Sequence, residues 1–97
     1  MSRSVHRVTL HITDEQTLTL HGFIRGLHVA PCRPTLGYNP DRHIELWYEV
    51  DGTDTRTAVT IHVEGTGHTI DHDGVHVGTV FTAGGELIWH VYTEVVQ

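Results

Sequence analysis

Three histidines and two aspartates fall within the nine residues from His68 to His76, inside the run Gly65-Thr66-Gly67-His68-Thr69-Ile70-Asp71-His72-Asp73-Gly74-Val75-His76. His68, Asp71, His72, Asp73 and His76 are all of the types that ligate zinc or a similar ion. On a helix the three histidines would share a face, but Gly74 and the flanking valines disfavour a helix, and in a turn leading into a strand they need not converge. Asp71-His72-Asp73-Gly74 is similar to the opening of a calcium loop, yet the later ligands and the closing glutamate are missing. Gly65-Thr66-Gly67 follows a strand-like run and is able to turn backbone amides toward an anion. It lacks the third glycine, the helix and the lysine of phosphate loops, and a turn that needs positive φ explains it more simply. The segment offers metal, ligand or partner contacts, with the metal unknown and no organic cofactor implied.

Other chemistry is thinner. Cys32 is the single cysteine, so neither an internal disulfide nor a thiolate metal cluster can form. Pro31 and Arg33 beside it place it in a loop, where a nearby cation would favour the thiolate. Cys32 with His28, and several hydroxyl residues with histidines, lack an elbow motif and a third catalytic member, so catalysis is not expected. Glu45 and Glu49 share one strand face and read as a solvated edge. Trp47 lies between them, either at an interface or beneath a neighbouring loop.

The elements that must hold these residues are strands. In Val5 to Ile12, Val8, Leu10 and Ile12 alternate with Arg7, Thr9 and His11, the pattern of a half-buried strand. A polar turn at Thr13 to Gln16 leads to Leu18 and Leu20, so the first two strands are expected to pair as a hairpin. Phe23 to Ala30 makes a third strand. Pro31, Pro34, Gly37 and Pro40 then make residues 31–42 an irregular exposed loop. His43 to Val50 turns Ile44, Leu46, Tyr48 and Val50 inward, and Arg56 to Glu64 turns Val59, Ile61 and Val63 inward. Val75 to Thr82 and Leu87 to Val96 form a last hairpin across Ala83-Gly84-Gly85-Glu86. The final strand is apolar on both faces, which favours assembly into a homo-oligomer through the second face. The expected fold is a single all-β domain spanning 1–97, an antiparallel sandwich or small barrel of about seven strands.

Composition narrows the partners. The 97 residues allow one core, and the absence of lysine beside six arginines hints at a GC-rich genome. Residues 1–43 carry five arginines against three acids, whereas 44–97 carry Arg56 alone against nine acids. That acidic half argues against nucleic acid and against an anionic membrane. Full protonation of ten histidines would move the formal charge from −6 to +4, so stability or assembly is expected to respond to pH near 6.5. No segment has the length of a signal-peptide core or of a membrane span, so a cytosolic protein is expected.

Four stretches taken in order resemble a family of small proteins from tailed bacteriophages and prophages. They are Ile12-Thr13-Asp14-Glu15-Gln16-Thr17, Gly65-Thr66-Gly67-His68-x-Ile70, Gly78-Thr79-Val80-Phe81 and Gly85-x-Leu87-Ile88-Trp89-His90-Val91. The middle of the chain departs from the pattern: Leu20-His21-Gly22-Phe23 and the Pro31 to Arg42 loop replace a short proline-glycine turn and a compact tryptophan strand, so Trp47 matches only approximately. The resemblance carries no activity. It implies a phage origin, the host cytoplasm, and an accessory role outside the virion, with His68, Trp89 and His90 as matched positions. The resulting expectation is a non-enzymatic protein that binds a host or defence protein, or a small ligand, through His68, Asp71, His72, His76, Trp47 and His90. The alternatives are a metal-dependent enzyme built on His68 to His76 and a minor structural protein of the virion.

Overall fold

The alternating runs become seven strands in the computed structural model, which describes residues 2–96. They are β1 Ser4–His11, β2 Glu15–Thr19, β3 Phe23–Pro31, β4 His43–Val50, β5 Ala58–Gly65, β6 Val75–Thr82 and β7 Leu87–Val95. Two antiparallel sheets form, one in the order β1-β4-β3 and one in the order β2-β5-β7-β6. Neither closes on itself, so the fold is an all-β antiparallel sandwich.

The period-two pattern correctly identifies the inner faces. Leu10, Ile44, Leu46 and Val50 from the first sheet pack with Val59, Ile61, Val63, Val80 and Val91 from the second, each no more than 3% exposed. Burying side chains of this size contributes roughly 1.5–3 kcal/mol each. Trp89 adds to this cluster from the inner face of β7 and donates its indole N–H to Thr82 Oγ1 at 3.0 Å.

Pairing departs from expectation at the start of the chain. β1 and β2 are not a hairpin: β1 pairs with β4 and β2 with β5, in different sheets. The chain crosses between sheets at Thr13, held on one side by Ile12 N–H to the Arg42 carbonyl (2.9 Å) and on the other by Val63 N–H to the Asp14 carbonyl (3.0 Å). Alternation fixes which face of each strand is apolar, and both satisfy it here, but it carries no information about which strand lies alongside.

Where β3 meets β6, the two sheets lock together through glycine. Gly26 lies against Val77, and a Cβ added there would come within 2.6 Å of a valine methyl. Gly78 likewise receives Val29, at 3.1 Å. Register shifts on β3 and between His76 and Gly78 on β6 let these strands bend toward each other.

The loop after β3 is better anchored than its prolines suggest. Cys32 is 1% exposed rather than in open loop, because its N–H continues the β3–β4 ladder to the His43 carbonyl at 3.1 Å. A 3₁₀ turn at Pro34–Leu36 follows, closed by Gly37 with φ 81°. His43, at the base, stacks on His11 (centroids 4.9 Å apart) and lies 5.1 Å from Tyr38.

The outer face of β4 overturns the solvated-edge expectation. β4 is the central strand of its sheet, so Glu45 and Glu49 are flanked on both sides and are buried. The Arg33 guanidinium grips Glu45 through Nε at 3.1 and 3.2 Å and Nη2 at 2.9 Å, and the Arg33 backbone N–H adds a bond of 3.1 Å. Arg7 lies 3.6 Å away on the other side. Burial alone pushes the Glu45 carboxyl up, but the Arg33 hydrogen bonds, with the charges of Arg33 and Arg7, outweigh it and hold the group below its ordinary value. Arg3 and Arg25 form ion pairs with Glu49, at 3.1 and 2.9 Å. Trp47, between these acids, is half-buried and leans on His28 of β3, with ring centroids 5.7 Å apart.

Candidate functional site

The histidine segment runs along the outer face of the second sheet, and its side chains part company. Gly67 takes φ 93° and His68 N–H returns to the Gly65 carbonyl at 3.1 Å, a tight turn at the end of β5. His68 Nδ1 accepts the Gly65 N–H at 3.2 Å, so this exposed histidine closes its own turn. His90, on β7, bridges Thr66 Oγ1 (2.9 Å) and Thr79 Oγ1 (3.0 Å) and clips that turn to β6. His76 lies on Tyr92, with ring centroids 5.1 Å apart. Three of the six residues named from sequence therefore serve local structure, Trp47 sits on the opposite sheet, and the segment does not gather into one metal site.

His72 is the exception, and it points to a residue that sequence reading missed. Its ring stacks on His62 of β5 at 3.6 Å and 7° and meets Tyr92 edge-on at 5.1 Å. Alternation turns His62 outward, between Ile61 and Val63. β5 is nevertheless flanked by β2 and β7 and roofed by His72, which leaves His62 only 6% exposed. Tyr92, on the second apolar face of β7, is thus partly covered by His72 and His76 within the chain.

The hydrogen bonds determine which ring nitrogens remain free. His62 Nε2 lies 2.8 Å from Glu94 Oε1. The His62 hydrogen bond is the main cause holding the Glu94 carboxyl below its ordinary value; burial opposes it, and the Asp73 backbone N–H and the two histidines add to it. Glu94 is therefore the acceptor and His62 Nε2 the donor, which leaves Nδ1 facing outward. The nearest carboxylate oxygen in that direction is Glu15 Oε2, at 3.7 Å. His72 Nδ1 accepts the Gly74 N–H at 3.0 Å, so its ring proton sits on Nε2, which is buried without an acceptor. That orphan donor is a cost which the ring stack and the Tyr92 contact must offset.

Ligand-type atoms of His62, His72 and Glu94 all lie within 4.8 Å of one another. The three do not converge on a point, however. Parallel rings aim their in-plane lone pairs side by side, Gly74 occupies His72 Nδ1 and Glu94 occupies His62 Nε2. The open position is His62 Nδ1, which faces a cleft of about 440 Å³ lined by Asp14, Glu15, His62, Glu64, Thr69, Asp71 and His72. Four carboxylates line it and no arginine does. The His62–Glu94 pair has the form of a catalytic dyad, but Nδ1 meets a carboxylate oxygen where a nucleophile would be needed. Cys32 lies buried in the first sheet, its Sγ 3.9 Å from the Arg33 carbonyl.

A second cleft, about 470 Å³, lies along the β3–β6 seam with Phe23, Ile24, Val75, Val77 and Val95 among its walls. The described residues contain no helix long and apolar enough to cross a membrane.

Residues 1–97 match, along their whole length, the family described as a domain of unknown function, DUF7352. The chain belongs to the DUF7352 family. Neither a curated protein nor a solved structure matches it. For this DUF7352 domain the acid-lined cleft around His62 is the strongest candidate site, and of the residues named from sequence only Asp71 and His72 line it.

Proposed function

We propose that this DUF7352 domain works by binding rather than by catalysis, and that its binding element is the cleft over His62, which takes a positively charged ligand or partner group. The supporting observation is the lining: four carboxylates surround the buried His62, and no arginine is among the lining residues. A cation entering such a site recovers charge that the fold leaves uncompensated. The acidic second half of the chain accords with the same choice and disfavours nucleic acid.

The resemblance to phage and prophage proteins extends the proposal to a phage-encoded accessory protein of the host cytoplasm whose partner presents basic groups. Homo-oligomer formation belongs to it too, supported by the exposed Val75, Phe81, Leu87 and Val95 and checked by light scattering across a range of concentrations. Amide NMR titration with a short arginine-rich peptide tests the binding element. Saturable shifts at Glu15, His62, Glu64 and Asp71, abolished in Glu15→Lys and absent with an acidic peptide, are expected. Shifts confined to the apolar cleft at Ile24 and Val75, or none at all, would overturn it.

A further inference from the structure

His62 Nδ1 and Glu15 Oε2 face each other across 3.7 Å with no hydrogen bond between them. Glu94 takes the Nε2 side of the ring at 2.8 Å, so Nδ1 is the ring nitrogen that faces the cleft. Asp14, Glu64 and Asp71 line the same cleft, so the space between Nδ1 and the Glu15 carboxylate favours positive charge.

The spacing suits a metal ion. Two ligand atoms each about 2.1 Å from a metal stand about 3.4 Å apart at the tetrahedral angle, and a small rotation of the exposed Glu15 side chain closes the difference. The Glu94 contact is the partner such a site requires. A metal-bound imidazole gives its second N–H to a carboxylate, which fixes the tautomer and raises the basicity of the ligating nitrogen. His62 is only 6% exposed and held by the His72 stack, so it is preorganised, whereas Glu15 can adjust.

We infer that the cleft binds one divalent transition metal ion, coordinated by His62 Nδ1 and the Glu15 carboxylate, with Glu94 as the positioning residue behind the imidazole. The mixed nitrogen and oxygen donors suit an ion of the zinc class over calcium or magnesium, whose sites are built from oxygen alone. Asp14, Glu64 and Asp71 supply negative charge around the ion. His72 walls the site and does not enter it, since its Nδ1 is taken by Gly74. This inference names the ligand class for the cleft proposed above and rests on that reading.

The test uses the untagged full chain and Zn²⁺, with Co²⁺ as the spectroscopic probe and Mg²⁺ as the control. One equivalent of Zn²⁺ is expected to bind and raise Tm, with Mg²⁺ inactive at equal concentration. Glu15→Gln and His62→Gln are each expected to weaken binding at least tenfold. Glu94→Gln should weaken it by about tenfold or more, the range seen when the carboxylate behind a ligating histidine is removed. His21→Gln, remote from the cleft, reports binding by the other histidines and should change nothing. NMR line broadening by Co²⁺ is expected to centre on His62 and Glu15. Glu15 is exposed, so its variant keeps the fold and remains informative even where His62→Gln does not. Equal Zn²⁺ binding by wild type and Glu15→Gln, or broadening centred on His68 or His76, overturns the site. A stability unchanged by Zn²⁺ also overturns it. Should the arginine-rich peptide bind while Zn²⁺ does not, the metal inference fails and the cation-binding reading survives; loss of both ends both.

Discussion

The two outer faces of this sandwich pose the same electrostatic problem and solve it differently. On the first, Glu45 sits on a central strand, fully buried, and is clamped by Arg33 and flanked by Arg7. On the second, His62 occupies an interior strand, β5, and has Glu94 on one nitrogen, Glu15 at 3.7 Å from the other, and no arginine lining the cleft. The first network is structural, because its buried carboxylates are paired with arginines inside the chain. The second is where the proposed site lies, because its cleft holds four carboxylates and no arginine. The uneven sequence charge maps onto this division: four of the five arginines before residue 44 serve the acids of β4, and no arginine lines the cleft of the second sheet.

Substitutions can break this comparison, beginning with the largest expected effect. Glu45→Ala removes the charged hydrogen bonds of the first face and is expected to cost about 2–3 kcal/mol in urea denaturation. His62→Ala loses one hydrogen bond and a ring stack, while Glu94, whose side chain is 34% exposed, rehydrates. A loss of about 1 kcal/mol is expected, and a loss equal to that of Glu45→Ala would make both faces structural.

Acid titration sharpens the contrast further. Folding holds the Glu45 and Glu94 carboxyls below their ordinary values, so the stability they contribute is complete above the usual carboxylate range. It is lost as pH falls through the folded values, below about pH 4. Glu45→Gln should flatten this acid limb in thermal melts more than Glu94→Gln does. The smallest effect is that of salt. Raising NaCl from 0.1 to 1 M should change Tm little, because the first-face pairs involve buried acids, yet it should weaken cation binding at the exposed mouth of the second by several-fold. Equal insensitivity of both would remove the electrostatic basis of the cleft.

The sequence made much of the sandwich legible. Ile44, Leu46, Val50, Val59, Ile61 and Val63 are inward as alternation requires, and the β6–β7 hairpin turns at Ala83 to Glu86 as its glycines indicate. The site was less legible. Asp71 and His72 were visible as candidates, but they drew attention to His68 and His76, whose side chains serve local structure. His62 and Glu94 were passed over as outward residues of ordinary strands, although an outward histidine on a strand with neighbours on both sides was the available signal. Glu45 and Glu49 were misread for the same reason, since outward on a central strand does not mean solvated.

The amino-acid order by itself determined the strand faces, the turns and the uneven distribution of charge, because each depends on residues close in the chain. Only the tertiary structure decided that β1 and β2 part company at Thr13, that arginines reach Glu45, and that His72 folds over His62. Those outcomes depend on which strands lie side by side, and the period-two pattern is satisfied equally by any neighbour that covers the apolar face.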